Sequence, residues 1–149
     1  DGNNSTIRHV LGVDLPGETA AVLERNWVAY ARRVVQECKE ATLDLSGERL
    51  RDPEARAIAE ALATIKNSIS CLNLSDNEIT NKGMKLFSEA LEINGIPALE
   101  ELNLSGNSIG TDGFSAVCIF PDLKRLNLEN NCVMDVPPQI GKLRNLQEL

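Results

Sequence analysis

The chain has 149 residues, a formal net charge of −7 and only 3% aromatic residues, a length that fits one compact unit. The surplus of carboxylates weighs against nucleic acid or an anionic membrane as partner, and no apolar run approaches the roughly 18 residues of a membrane-spanning helix. With so few aromatics, the core has to be built from Leu, Ile, Val and Ala.

Residues 1–17 open polar, with Asp1-Gly-Asn-Asn-Ser-Thr in place of the basic and apolar regions of a signal peptide, and read as a flexible segment. The missing initiator Met reads as a start that has been cut. Residues 18–40 carry Val22, Leu23, Trp27, Tyr30, Ala31, Val34, Val35 and Cys38 at three- and four-residue spacings, which stripes one face of a helix. A helix of this kind is expected to cap the open end of a repeat array, where apolar residues otherwise meet water.

From residue 41 onward the chain repeats itself. Leu43-Asp-Leu45, Leu72-Asn-Leu74, Leu102-Asn-Leu104 and Leu126-Asn-Leu128 recur at steps of 29, 30 and 24 residues, and Leu149 starts a fifth turn of the pattern. Self-similarity at such a period marks a solenoid. Each Leu-x-Leu predicts a short strand with its leucines inward. After the first strand, Asp52-Pro53-Glu54 reads as an N-cap, a helix-starting proline and an early carboxylate. Ala55, Ile58, Ala59 and Leu62 then face inward, matched by Met84, Phe87, Ser88 and Leu91 in the next unit. The third unit keeps Phe114, Val117 and Cys118 and predicts a helix of about two turns. Val136-Pro137-Pro138 in the fourth forbids a regular helix, so an extended stretch and a brief helical turn are expected.

These residues resemble the leucine-rich repeat family over 42–149. The first units, with Leu-x-Leu-x-x-Asn-x-Ile followed by a helix, resemble its ribonuclease-inhibitor-like class. The fourth, with Pro-Pro-x-Ile-Gly-x-Leu, resembles a shorter typical class. The resemblance implies an α/β fold: a right-handed horseshoe solenoid of residues 41–149 with parallel strands on the concave face.

The outward residues of the strands should align in columns across that face. Thr42, Cys71, Glu101 and Arg125 form one, Asp44, Asn73, Asn103 and Asn127 the next, and Ser46, Ser75, Ser105 and Glu129 the third. They are the expected partner-binding residues, although they lack the Trp, Tyr or clustered Arg typical of an interface anchor. Asn77, Asn107 and Asn131 close the frame; a side-chain amide both donates and accepts, so these three are expected to hold the turns and link successive coils. Glu48 stands there in the first unit, so that turn is expected to be looser or to be satisfied by the N-terminal cap.

Catalysis finds little support. His9 is the only histidine and lies outside the repeats. No Gly-rich phosphate loop is present, since Ser105-Gly106 and Asp112-Gly113 belong to turns. Asp44, Asp76 and Asp135 fall on different faces, so neither metal nor cofactor is expected. Cys71 has no cation beside it in sequence to activate its thiol. Cys38, Cys71, Cys118 and Cys132 show no paired spacing and read as free thiols of a cytoplasmic protein. The expected function is therefore a non-enzymatic protein-interaction module, a scaffold or adaptor whose open C-terminal end also invites end-to-end self-association. Resemblance offers two alternatives: the sensor region of an innate-immune-type receptor, or a regulator like the Ran GTPase-activating proteins, with activity around Arg49, Arg51 and Asn81.

Overall fold

The computed structural model describes residues 33–35, 37–38, 40–64 and 69–149. The expected flexible segment 1–17, and the greater part of the expected capping helix 18–40 with Trp27 and Tyr30, lie outside the described residues. Arg33–Val35 and Glu37 are helical, and Val35 is buried in the core.

Four three-residue strands, β1 (Thr42–Asp44), β2 (Cys71–Asn73), β3 (Glu101–Asn103) and β4 (Arg125–Asn127), form one parallel sheet in chain order. Each is followed by a helical segment on the opposite side: α1 (Asp52–Thr64), α2 (Asn81–Asn94), α3 (Thr111–Val117), and a 3-10 helix at Pro138–Lys142. The fold is a leucine-rich-repeat solenoid. As the spacing predicts, α3 has two turns and the double proline leaves only a 3-10 turn.

The core lies between the sheet and the helices. Leu43, Leu72, Leu102 and Leu126 are buried from the strand side, and Ile58, Phe87, Leu91, Phe114 and Val117 from the helix side. Small residues let neighbouring helices approach: Ala57 and Ala61 of α1 are buried beside the inward Ala55 and Ala59. The rings of Phe87 and Phe120 meet at 6.3 Å between centroids, within the range of favourable aromatic pairs.

Two rows of polar side chains fasten coil to coil. In the first, Asn77 Oδ1 accepts the Glu48 and Leu50 N–H groups of the preceding coil at 3.0 and 2.9 Å, while its Nδ2 donates to Leu45 O at 3.0 Å. Nδ2 also reaches the carbonyls of Leu74 and Ser75 in its own turn. Asn107 repeats this with Ile79 N–H and the carbonyls of Leu74 and Leu104, and Asn131 with Ile109 N–H and the carbonyls of Leu104 and Leu128. The amide therefore reaches backward along the array. In the first turn, where Glu48 stands at this position, the Glu48 and Leu50 N–H groups and the Leu45 carbonyl are served by Asn77 of the next coil, while the expected share of the N-terminal cap falls outside the described residues.

The second row reaches forward. The Asp52 carboxylate accepts from the Thr80 N–H and hydroxyl at 2.8 and 2.7 Å. Asn81 Oδ1 accepts from Gly110 and Gly113 N–H at 2.7 and 2.8 Å, and Thr111 Oγ1 from Met134 and Asp135 N–H at 3.2 Å. Asp52 is thus not the N-cap of its own helix: the Ala55 N–H bonds to Arg51 O, and Glu54 Oε2 accepts the Arg51 N–H. Room for this row comes from missing side chains. A Cβ on Gly83 would lie 2.3 Å from Asp52 Oδ1, and one on Gly113 2.6 Å from Asn81 Oδ1.

Asn107 is 7% exposed, so its loss leaves buried backbone groups without partners. Asn107→Ala is expected to cost on the order of 3 kcal/mol in urea unfolding, and the half-buried Asn131 less. A loss below about 1 kcal/mol would deny the amide its role. Cys118 gives a second prediction. Burial pushes its thiol up to about 11 from 9.0, against a smaller lowering by Lys142. The folded chain then holds the proton in a pH range where the unfolded chain releases it, so stability should fall as pH rises through 9 to 11. This part of the alkaline decline should be absent in Cys118→Ala, in melting curves recorded across that range.

Candidate functional site

The sheet face opposite the helices presents the outward residues of the four strands. Thr42, Cys71, Glu101 and Arg125 stand in one register row, and Asp44, Asn73, Asn103 and Asn127 in the next. The structure thus brings these two columns together in the predicted order. The third, Ser46, Ser75, Ser105 and Glu129, follows at the strand exits, where Ser75 is buried and Glu129 exposed.

The second column does local work as well as facing outward. Each member turns Oδ1 back to the backbone N–H two residues on: Asp44 to Ser46 at 3.0 Å, Asn73 to Ser75 at 3.1 Å, Asn103 to Ser105 at 3.0 Å and Asn127 to Glu129 at 2.9 Å. This Asx turn draws the chain out of the strand. A left-handed residue follows at the same position of each coil, at Gly47, Asp76, Gly106 and Asn130, and the first coil adds a second at Arg49. The Nδ2 groups of Asn73, Asn103 and Asn127 have no protein acceptor among the described residues, and they line the face as a row of donors.

The first column contains the strongest electrostatic contact of the face. Arg125 pairs with Glu101 on β3 and, at 3.4 Å, with Glu148, which forms a parallel bridge to Arg125. Its partners remain about half or more exposed, so the cluster adds little stability. A groove of about 870 Å³ runs along the face from Thr42 past Asn103 and Asn127 to Glu148. Beyond β4 it turns onto Leu128, Val133 and Val136.

Sequence reading missed the pairing of Arg125 with Glu101 and Glu148, although membership of one column was its available signal. The forward-reaching row of Asp52, Asn81 and Thr111 was also missed. Asn81, named above among possible GTPase-activating residues, holds the next coil. Among the described residues, no group of His, Cys, Asp and Glu is arranged to hold a metal ion, and no helix is long and apolar enough to cross a membrane. Cys38, Cys71, Cys118 and Cys132 are free thiols, with Cys132 exposed and Cys71 half-buried on the sheet face.

The comparisons with known proteins agree with the repeat frame. A family model described as a leucine-rich repeat matches residues 66–88 and 97–118. The chain is 38% identical over 76 residues to a Tonsoku-like protein of Danio rerio, covering 49% of this chain and 5% of that protein. It is 31% identical over 127 residues to a probable serine/threonine-protein kinase pats1 of Dictyostelium discoideum, covering 72% of this chain and 4% of that one. The chain therefore spans about a twentieth of the length of these curated relatives. A solved structure of a leucine-rich repeat protein from Leptospira interrogans aligns with a TM-score of 0.40 at 22% identity, over 92% of this chain and 35% of that one. With its recurring Leu-x-Leu frame, its backward-reaching asparagines and its matches to the repeat model, this chain is a leucine-rich repeat protein.

Proposed function

We propose that the chain is a protein-interaction module, a scaffold or adaptor that holds its partner against the open sheet face. Leucine-rich repeats commonly serve protein interaction and are typically not enzymes. The observation that carries the reading is the groove along the sheet: outward strand side chains line it above core residues such as Leu72 and Leu102, and a partner meets those outward side chains without any rearrangement of the core. Four free thiols support a reducing, cytoplasmic setting. Catalytic assistance to a GTPase is the weaker alternative, because Asn81 is engaged by Gly110 and Gly113, and Arg51 is paired with Glu54.

Blocking the groove without changing its charge tests the proposal. Asn103→Arg is unsuitable, since Asn103 Oδ1 also holds the turn at Ser105. Thr42→Trp and Cys71→Trp fill the groove from positions that carry no coil-to-coil bond through their side chains. Both variants should keep the circular dichroism spectrum while retaining about tenfold less of any partner captured by the immobilised chain. Equal retention by the two variants would move binding off the sheet face.

A further inference from the structure

The groove has a polarity that its overall acidity alone does not convey. Carboxylates flank the asparagine row on both sides, Glu101 and Glu148 at the strand entries and Glu129 at a strand exit, and the one cation lining the groove among the described residues, Arg125, is already held between Glu101 and Glu148. An anionic ligand would have to break that cluster and face the remaining carboxylates. A cationic side chain would instead add to it. A second copy of this chain, itself at −7, would be repelled.

The floor of the groove supplies the complementary half. The Nδ2 groups of Asn73, Asn103 and Asn127 point outward as donors because their Oδ1 atoms are fixed by the turns. Donors in a row suit the carbonyl oxygens of an extended backbone laid across the strands. Strands stand about 4.8 Å apart, whereas carbonyls on one edge of an extended chain recur about every 7 Å, so about two of the three amides engage at once. From β1 to the position of Glu148 there are four inter-strand steps, a span of about 19 Å, or about six extended residues.

We infer that the groove takes an extended segment of a partner protein, about six residues long, that carries Lys or Arg side chains. Its backbone carbonyls meet the asparagine amides and its cations meet Glu129, Glu148 and Glu101. This rests on the reading of the sheet face as the interaction surface.

The test is a titration of the chain with an alternating Lys-Ser octapeptide, followed by the side-chain amide resonances of Asn73, Asn103 and Asn127, with Gln-Ser and Glu-Ser octapeptides in parallel. The Lys-Ser peptide should shift at least two of the three, and binding should weaken severalfold between about 50 and about 300 mM salt. Glu129→Gln and Glu148→Gln should each lower affinity about fivefold, while Glu89→Gln and Glu92→Gln on the exposed back of α2 should leave it unchanged. A Gln-Ser or Glu-Ser peptide that occupies the face equally well overturns the charge preference and leaves the interaction surface standing. Lys-Ser shifts confined to the helices overturn both. Absence of any shift at millimolar peptide, or equal losses in the α2 controls, also overturns the inference.

Discussion

A backbone that leaves a strand and turns inside a stack of coils has N–H and C=O groups that neither a sheet nor a helix satisfies. Burying each of them bare would cost about 1–3 kcal/mol, a penalty that recurs in every coil. One side-chain amide per coil solves this, because Asn donates and accepts at once. Asn77, Asn107 and Asn131 close their own turns and also bind the carbonyl and N–H groups of the coil before. The leucines on either side of each turn can therefore be buried in a continuous core, since the polar backbone between them is already partnered.

The same economy of groups shapes the outer face. Asn73, Asn103 and Asn127 each have one atom engaged in the strand exit and another directed to solvent. A residue of this kind is both part of the scaffold and part of the surface. Its orientation is fixed before any partner arrives, which reduces the ordering cost of binding. Arg125 is likewise held between two carboxylates, so the charge pattern of the groove does not depend on a free-swinging side chain.

Strand positions, their columns and the inward residues of α1, α2 and α3 were legible in the sequence, because periods of two and of about 3.6 are local consequences of backbone geometry. Even the weakened fourth coil was legible, since Pro137 and Pro138 cannot continue a helix. What stayed hidden was the destination of side chains at coil boundaries. Asp52-Pro53-Glu54 reads the same whether the Asp carboxylate turns to its own helix or forward to Thr80; only proximity in space decides between them. The part Asn77 plays in the turn at Glu48 was hidden for a related reason: the frame position looks like a requirement of its own turn, yet an amide that serves that turn's N–H groups belongs to the coil that follows.

The glycines that admit the forward-reaching row give the array a grammar for growth. α2 and α3 each carry, two residues apart, a polar side chain that serves the coil ahead and a glycine that receives one from the coil behind: Asn81 with Gly83, Thr111 with Gly113. A duplication that copies such a unit whole copies both the plug and the socket, so the new junction is compatible on each side. α1 has the plug, Asp52, but Glu54 occupies the socket and caps its own helix start instead. A copy of that unit inserted farther along would meet its predecessor with a carboxylate where a void is needed.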